Sequence, residues 1–265
     1  MLAVLSPAKS LDWSAPAQPI TATEPRLMKD TQSLMRTTRG LTQKRIRELM
    51  SLSPDLAKLN YERYRSFEIP FTDDNALPAS LAFNGEVYRG LDARSLEADA
   101  LEWAQDHLAI LSGLFGVLRP LDLIQPYRLE MGTRLKNRRG ANLYAFWGDR
   151  IANVIKQQVA EHEDPTLVNL ASNEYFKAAK ARTLQTPVIE CVFEDWKEHP
   201  DEGTVIGFLA KYARGLMARY LIAERLNRAE GLKDFNWERY AFQPSRSTDA
   251  RLVFSREFIP VEQAR

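Results

Sequence analysis

The sequence predicts a mixed α/β (α+β) fold, in which central β-structure is surrounded by helices and a helix-hairpin-helix is included. Three observations predict it. Short apolar runs of strand character stand near both ends, at 2–6 and 250–256. Helical and strand patterns alternate between them without a strict βαβ rhythm. No linker, repeat or low-complexity tract divides the 265 residues, so the whole of 1–265 reads as a single domain.

Taken in order, LAVLS (2–6) is a first strand, and APAQPITATEP (15–25) is an extended loop whose prolines forbid a helix interior. From Leu27 to about Arg65 the apolar spacing is helical. SLAFNGEVYRGL (80–91) reads as a short strand and a turn at Asn84-Gly85, and 92–118 as helix and turn. Residues 142–162 fit an amphipathic helix. TLVNLAS (166–172) is a buried strand running into a helix at EYFKAAKA. PVIECVFEDW (187–196) and TVIGFLA (204–210) read as strands around an acidic hairpin, followed by a helix at 211–226 and a last strand at 250–256.

Composition excludes several classes. Hydrophobic residues are 45% and charged residues 27%, which is globular rather than disordered. One cysteine rules out an intramolecular disulfide framework, and with three histidines no metal site or cofactor is expected. The start, MLAVLSPAKSLDW, lacks a basic leader and a long apolar core, and no stretch reaches the length of a membrane span. A cytoplasmic protein without a membrane partner is expected.

Net charge is only +1, yet charge is segregated. Residues 26–47 carry Arg26, Lys29, Arg36, Arg39, Lys44, Arg45 and Arg47 against Asp30 alone; 119–139 and 208–228 are also basic, whereas 92–106 and 190–202 are acidic. Solvated helix faces with local ion pairs would give this pattern. So would a basic cleft for a polyanion.

LTQKRIRELMSLSPDLAKLNYERYRSF (41–67) splits into two helical halves, with Ser53 as a cap and Pro54 in the first turn of the second. Leu56, Ala57, Leu59 and Tyr64 are its expected inner face. Ser51-Leu52-Ser53 matches the small–apolar–small hairpin of a helix-hairpin-helix. There, small residues admit a phosphate, free N–H groups at the second helix start bind it, and Leu52 plugs the hairpin into its own helices. Ser51 and Ser53 stand where glycine is usual, and Asp55 where a basic residue is common. A plain αα-hairpin remains the alternative. The candidate DNA contacts are Lys44, Arg45, Arg47, Ser51, Leu52, Ser53 and Lys58.

A second constellation comes from polar residues dense in apolar surroundings: Lys9 after the first strand, Arg128, Glu130 and Arg134 in the glycine-containing middle segment, Asn169, Ser172 and Lys177 at and after the third strand candidate, and Lys211 and Arg214 on a late helix. Polar residues at strand carboxyl ends are where α/β proteins place sites. No Walker loop, Rossmann fingerprint or zinc signature is present.

In order and spacing, LSPAKSLD, LSGLFGVLRPLDLIQPYRLEMGTRL, LYAFWGD, VNLASNEYFK and KYARGLMARYLI resemble the YaaA family of peroxide-stress proteins, from Met1 to about Arg256. The resemblance implies a cytoplasmic protein that limits oxidative damage and free iron, with β-structure inside a helical rind. It also implies double-stranded or branched DNA as a partner, bound without sequence preference through a hairpin that maps onto 41–67. It carries over no catalytic residue. Two functions therefore stand: a DNA-binding protector, or an enzyme on a nucleotide, nucleic acid or other small phosphorylated ligand held by the second constellation.

Overall fold

Four consecutive apolar residues, Leu2–Leu5, form β1, and every one of them is fully buried. A strand apolar on both faces belongs in the middle of a parallel sheet, and β1 lies there. The computed structural model describes residues 1–16 and 20–258. The chain continues through β2 (Ser10–Leu11), α1 (Met28–Arg39), α2 (Gln43–Met50), α3 (Pro54–Ser66), β3 (Leu77–Pro78), α4 (Ala79–Ala82), β4 (Phe83–Asn84), α5 (Glu86–Leu91) and α6 (Ala98–His107). Then follow β5 (Leu108–Ser112), β6 (Gly116–Leu118), β7 (Leu123–Ile124), α7 (Leu143–Trp147), α8 (Arg150–Ala160), β8 (Leu167–Asn169), α9 (Asn173–Phe176), β9 (Val188–Trp196), α10 (Gly207–Ala223), β10 (Ala241–Phe242) and β11 (Arg251–Glu257).

Seven strands make one sheet in the order β10-β11-β9-β8-β1-β5-β6, and β2–β4 and β3–β7 are small antiparallel ribbons. The five inner strands are parallel, and the outer two pair antiparallel. β1 pairs on one side with β5 (Ala3 opposite Leu108) and on the other with β8 (Ala3 opposite Val168). The chain thus leaves β1 toward β5 and later returns to the opposite side of β1 to lay down β8. This reversal is a topological switch point, and the carboxyl ends of β1 and β8 flank a crevice there.

The fold class is the one expected, a mixed α/β domain around a central, mostly parallel sheet. Several elements differ. Leu108–Ser112, expected within a helix-and-turn region, is an inner strand. It follows α6 with no intervening residue, and a short apolar run does not reveal its period. The 204–210 strand does not form. Thr204 makes a single antiparallel bridge to Asp195, and Gly207 already opens α10. The 142–162 helix is two helices broken at Gly148. The 80–91 segment is helix, two-residue strand and helix. Part of the 15–25 loop, 17–19, lies outside the described residues.

α10 packs on β9 and crosses α5 at close range. The crossing depends on two glycines. A Cβ on Gly215 would lie 1.8 Å from the Val87 carbonyl oxygen, and one on Gly90 would lie 2.2 Å from that of Tyr212. α10 therefore lies closer to α5 than a side chain at Gly90 or Gly215 would permit, and its Lys211 and Arg214 line the crevice.

Candidate functional site

The switch-point crevice is a cavity of about 410 Å³. Ser6–Ser10 after β1, Asn84–Tyr88 at the start of α5, Glu130, the Leu170–Tyr175 segment after β8, and Lys211 and Arg214 of α10 line it. Its two strand-end loops are tied together. The Ser172 N–H donates to Ser6 Oγ at 2.9 Å, the Ser6 hydroxyl lies 3.3 Å from Ser172 Oγ, and the Leu170 N–H donates to the Val4 carbonyl at 3.0 Å. The Tyr88 hydroxyl donates to the Ser6 carbonyl at 3.0 Å, joining α5 to the same loop. Burial raises the Tyr88 and Tyr175 phenol pKa values well above the usual range, so both stay protonated at neutral pH.

The ionic groups are unequally matched. Glu130 accepts from both Lys9 (3.1 Å) and Arg128 (3.2 Å). Glu174 accepts the Gly132 N–H at 2.7 Å, and Glu86 pairs with Arg89 at 3.1 Å. Lys211, which is exposed, and Arg214, which is half-buried, make no hydrogen bond or ion pair with any described residue. Burial lowers the Arg214 guanidinium pKa, and Glu190 opposes this through space without reaching ion-pair distance. The lining holds Lys9, Lys211 and Arg214 against Glu86, Glu130 and Glu174, so it is mixed in charge rather than uniformly basic.

Of the second constellation, Lys9, Glu130, Ser172, Lys211 and Arg214 converge on this cavity. Arg128 stands behind it, acting on Glu130. Three more do not line it. Asn169 is buried at the end of β8, where its Oδ1 accepts the Ala171 N–H at 3.0 Å. Lys177 sits over the Tyr144 ring in a separate groove with Lys180 and Arg182. Arg134 is exposed on the strap leading away. Ser6, Asn84, Glu86, Tyr88, Glu174 and Tyr175 complete the lining. Their segments are visibly polar in the sequence, but only the α5–α10 crossing and the switch point bring them opposite Arg214.

The 41–67 segment is two helices, α2 and α3, joined through Ser51–Ser53. Ser51 takes a left-handed conformation (φ 52°), Leu52 is buried, and the Ser53 side chain accepts the Leu56 N–H as the cap of α3. The inner face of α3 is Ala57, Asn60 and Tyr64; Leu56 and Leu59, expected there, are 39% exposed. Lys44, Arg45, Arg47, Ser51, Ser53 and Lys58 are exposed. Arg45 reaches Glu48 at 3.5 Å in a surface pair, whereas Lys44, Arg47 and Lys58 have no ion-pair partner among the described residues. Elsewhere the basic segments are engaged in part. Arg119 pairs with Asp122, Arg139 with Asp30, Arg219 with Asp92, Arg225 with Asp99 and Arg228 with Glu163. Ion pairing thus accounts for part of the segregated charge at 119–139 and 208–228 and leaves Arg134, Lys136, Arg138, Lys211 and Arg214 without an ion-pair partner among the described residues, as it does Lys44, Arg47 and Lys58 on the hairpin. α3 is tied to the crevice strap, because the Tyr64 hydroxyl donates to the Arg128 carbonyl.

Cys191, on β9, is 1% exposed, and burial pushes its thiol up to about 12. No described helix is long and apolar enough to cross a membrane.

Comparison with known proteins adds a family. The family described as peroxide stress protein YaaA matches residues 1–246. A UPF0246 protein of Caulobacter vibrioides is 54% identical over 97% of this chain and 99% of its own length. UPF0246 proteins of Caulobacter sp. (strain K31) and Dechloromonas aromatica are 53% and 50% identical, each over 97% of this chain and 99% of theirs.

Proposed function

This chain belongs to the YaaA family of peroxide stress proteins, and from that premise we propose that it acts in the cytoplasm by binding double-stranded or branched DNA, with little sequence preference, through the α2–α3 hairpin. The observation that carries this reading is the uneven use of positive charge. Lys44, Arg47 and Lys58 stand exposed and without ion-pair partners beside the buried plug Leu52 and the capped start of α3, while Arg119, Arg128, Arg139, Arg219, Arg225 and Arg228 of the other basic segments are held in ion pairs. Unpaired surface cations neutralise phosphates and release counterions without first breaking a protein contact. Contacts of this kind position a duplex without reading its bases.

Bound DNA would be shielded from oxidative damage. Any effect on free iron would be indirect, since among the described residues no three His, Cys, Asp or Glu side chains group to hold a metal ion. The test is affinity for two unrelated duplexes and one branched junction across a salt series, for the native protein and a Lys44→Ala/Arg45→Ala/Lys58→Ala variant. Each lost phosphate contact should weaken binding alike on all three and flatten the salt slope by about one unit. Unchanged affinity and slope in the variant would remove the hairpin from the reading. Absence of salt-dependent binding by the native protein would overturn it.

A further inference from the structure

Lys211 and Arg214 lie three residues apart on α10, so their side chains share one helix face. Both line the switch-point crevice, and neither has a hydrogen bond or ion pair within the described protein. A half-buried guanidinium without an ion-pair or hydrogen-bond partner is an unusual expense, because desolvating a charge is costly unless a partner is in contact. Glu190 attracts it through space but stays beyond ion-pair distance, and the carboxylates of the lining are engaged elsewhere: Glu130 by Lys9 and Arg128, Glu174 by the Gly132 N–H, and Glu86 by Arg89. What is missing at Arg214 is an anion from outside.

We propose that the crevice between the carboxyl ends of β1 and β8 binds a small phosphomonoester of the nucleoside monophosphate class, with its phosphate on Arg214 and Lys211. The cavity, about 410 Å³, falls within the usual range for small-molecule sites and matches a ligand of this size. Two unmatched cations suit one phosphate dianion. The three carboxylates in the lining oppose a longer polyphosphate chain. Those same carboxylates accept hydrogen bonds, which suits a hydroxyl-bearing sugar, and Leu170, Val87 and Tyr175 offer apolar surface for a base. The Ser6–Ser172 and Tyr88–Ser6 hydrogen bonds hold the loops in place before any ligand arrives, so little ordering accompanies binding. This site is separate from the α2–α3 hairpin and does not depend on the DNA reading.

The experiment is calorimetric titration with adenosine monophosphate, adenosine and inorganic phosphate, on the native protein and on Arg214→Gln, Lys211→Gln and Arg182→Gln, with duplex affinity measured in parallel. The expected result is saturable binding of the monophosphate, weaker binding of phosphate alone, and none of adenosine. Arg214→Gln should weaken the monophosphate roughly ten- to hundredfold, the loss of one charge-assisted contact, and Lys211→Gln somewhat less. Arg182→Gln, in the separate groove, should change nothing. Arg214→Gln should also keep or raise the thermal midpoint of the free protein, because it removes an unpaired desolvated charge; a fall would make Arg214 a structural residue and overturn the proposal. So would equal binding of adenosine and its monophosphate, no saturable binding at millimolar concentration, or native affinity in Arg214→Gln. Duplex affinity should be unaffected by Arg214→Gln. Its loss together with monophosphate binding would make the crevice part of the DNA track and overturn a separate site.

Discussion

Gly90 and Gly215 face each other across the α5–α10 crossing, each occupying the place where the other helix's backbone would meet a Cβ. Helix interiors normally gain about 1 kcal/mol from Gly→Ala. Here packing reverses the sign, because the added methyl at Gly215 would lie 1.8 Å from a backbone oxygen. α5 carries Glu86, Val87 and Tyr88 into the crevice, so pushing it away also widens the site.

Gly215→Ala is therefore expected to destabilise the protein by about 1–3 kcal/mol or more, the usual cost of overpacking. Gly207→Ala, at the exposed start of α10 with no atom within 4 Å of its would-be Cβ, should be neutral or slightly stabilising. Urea midpoints of the two variants check this. Equal midpoints would mean the crossing relaxes freely.

The hairpin offers a second contrast. Ser51 holds φ 52°, a left-handed conformation that costs a non-glycine residue about 1–2 kcal/mol. Ser51→Gly should stabilise by up to about 1 kcal/mol after the glycine's own entropy cost. Ser53→Ala removes the cap of α3 and should cost about 1 kcal/mol. Both shifts are readable in denaturant melts. The same direction of change in both variants would contradict the geometry.

A third prediction concerns pH. His107 stacks on Trp103 at 3.6 Å, and His162 lies 4.7 Å from His107. Burial lowers both imidazole pKa values, the nearby Met1 ammonium lowers them further, and Asp106 acts the other way. The unfolded chain, with imidazoles near 6.5, takes up these protons more readily than the folded one. Their contribution is thus complete above about pH 6.5 and is lost as pH falls through the lowered folded values. Stability should drop between pH 7.5 and 5.5, and His107→Gln/His162→Gln should show a shallower drop. An equal slope in the double variant would place the proton uptake elsewhere.

The sheet's outer logic is legible in the sequence because its members announce themselves. LAVL is apolar at every position, and 187–196 and 250–256 are bounded by turn residues. β5 is hidden because α6 passes into it at His107–Leu108 without a break. TVIGFLA misleads because its second half, Gly207 to Ala210, opens a 17-residue helix whose buried face only becomes clear further on, at Ala210, Ala213 and Met217. At the crevice, Lys9, Glu130, Ser172, Lys211 and Arg214 are readable as polar residues at strand ends and on a late helix. Asn169 and Lys177 have the same local signature, and only the direction in which β8 and α9 leave the sheet separates them. Leu56 and Leu59 are misread as inward because Asn60 takes the buried place beside them, with its Nδ2 on the Leu56 carbonyl at 2.8 Å.

The placement of Cys191 belongs to a wider pattern. The chain has one cysteine and six methionines. Cys191, Met1, Met35, Met131 and Met217 are buried, and Met28 and Met50 are partly covered by the core. Thiols oxidise through the exposed thiolate, and thioethers where oxidant reaches the sulfur. A thiol held protonated inside β9 offers peroxide no nucleophile, and the buried methionines turn no sulfur to solvent. The fold thus keeps Cys191 and four of its six methionines out of an oxidant's reach, and with them the packing of the core they fill.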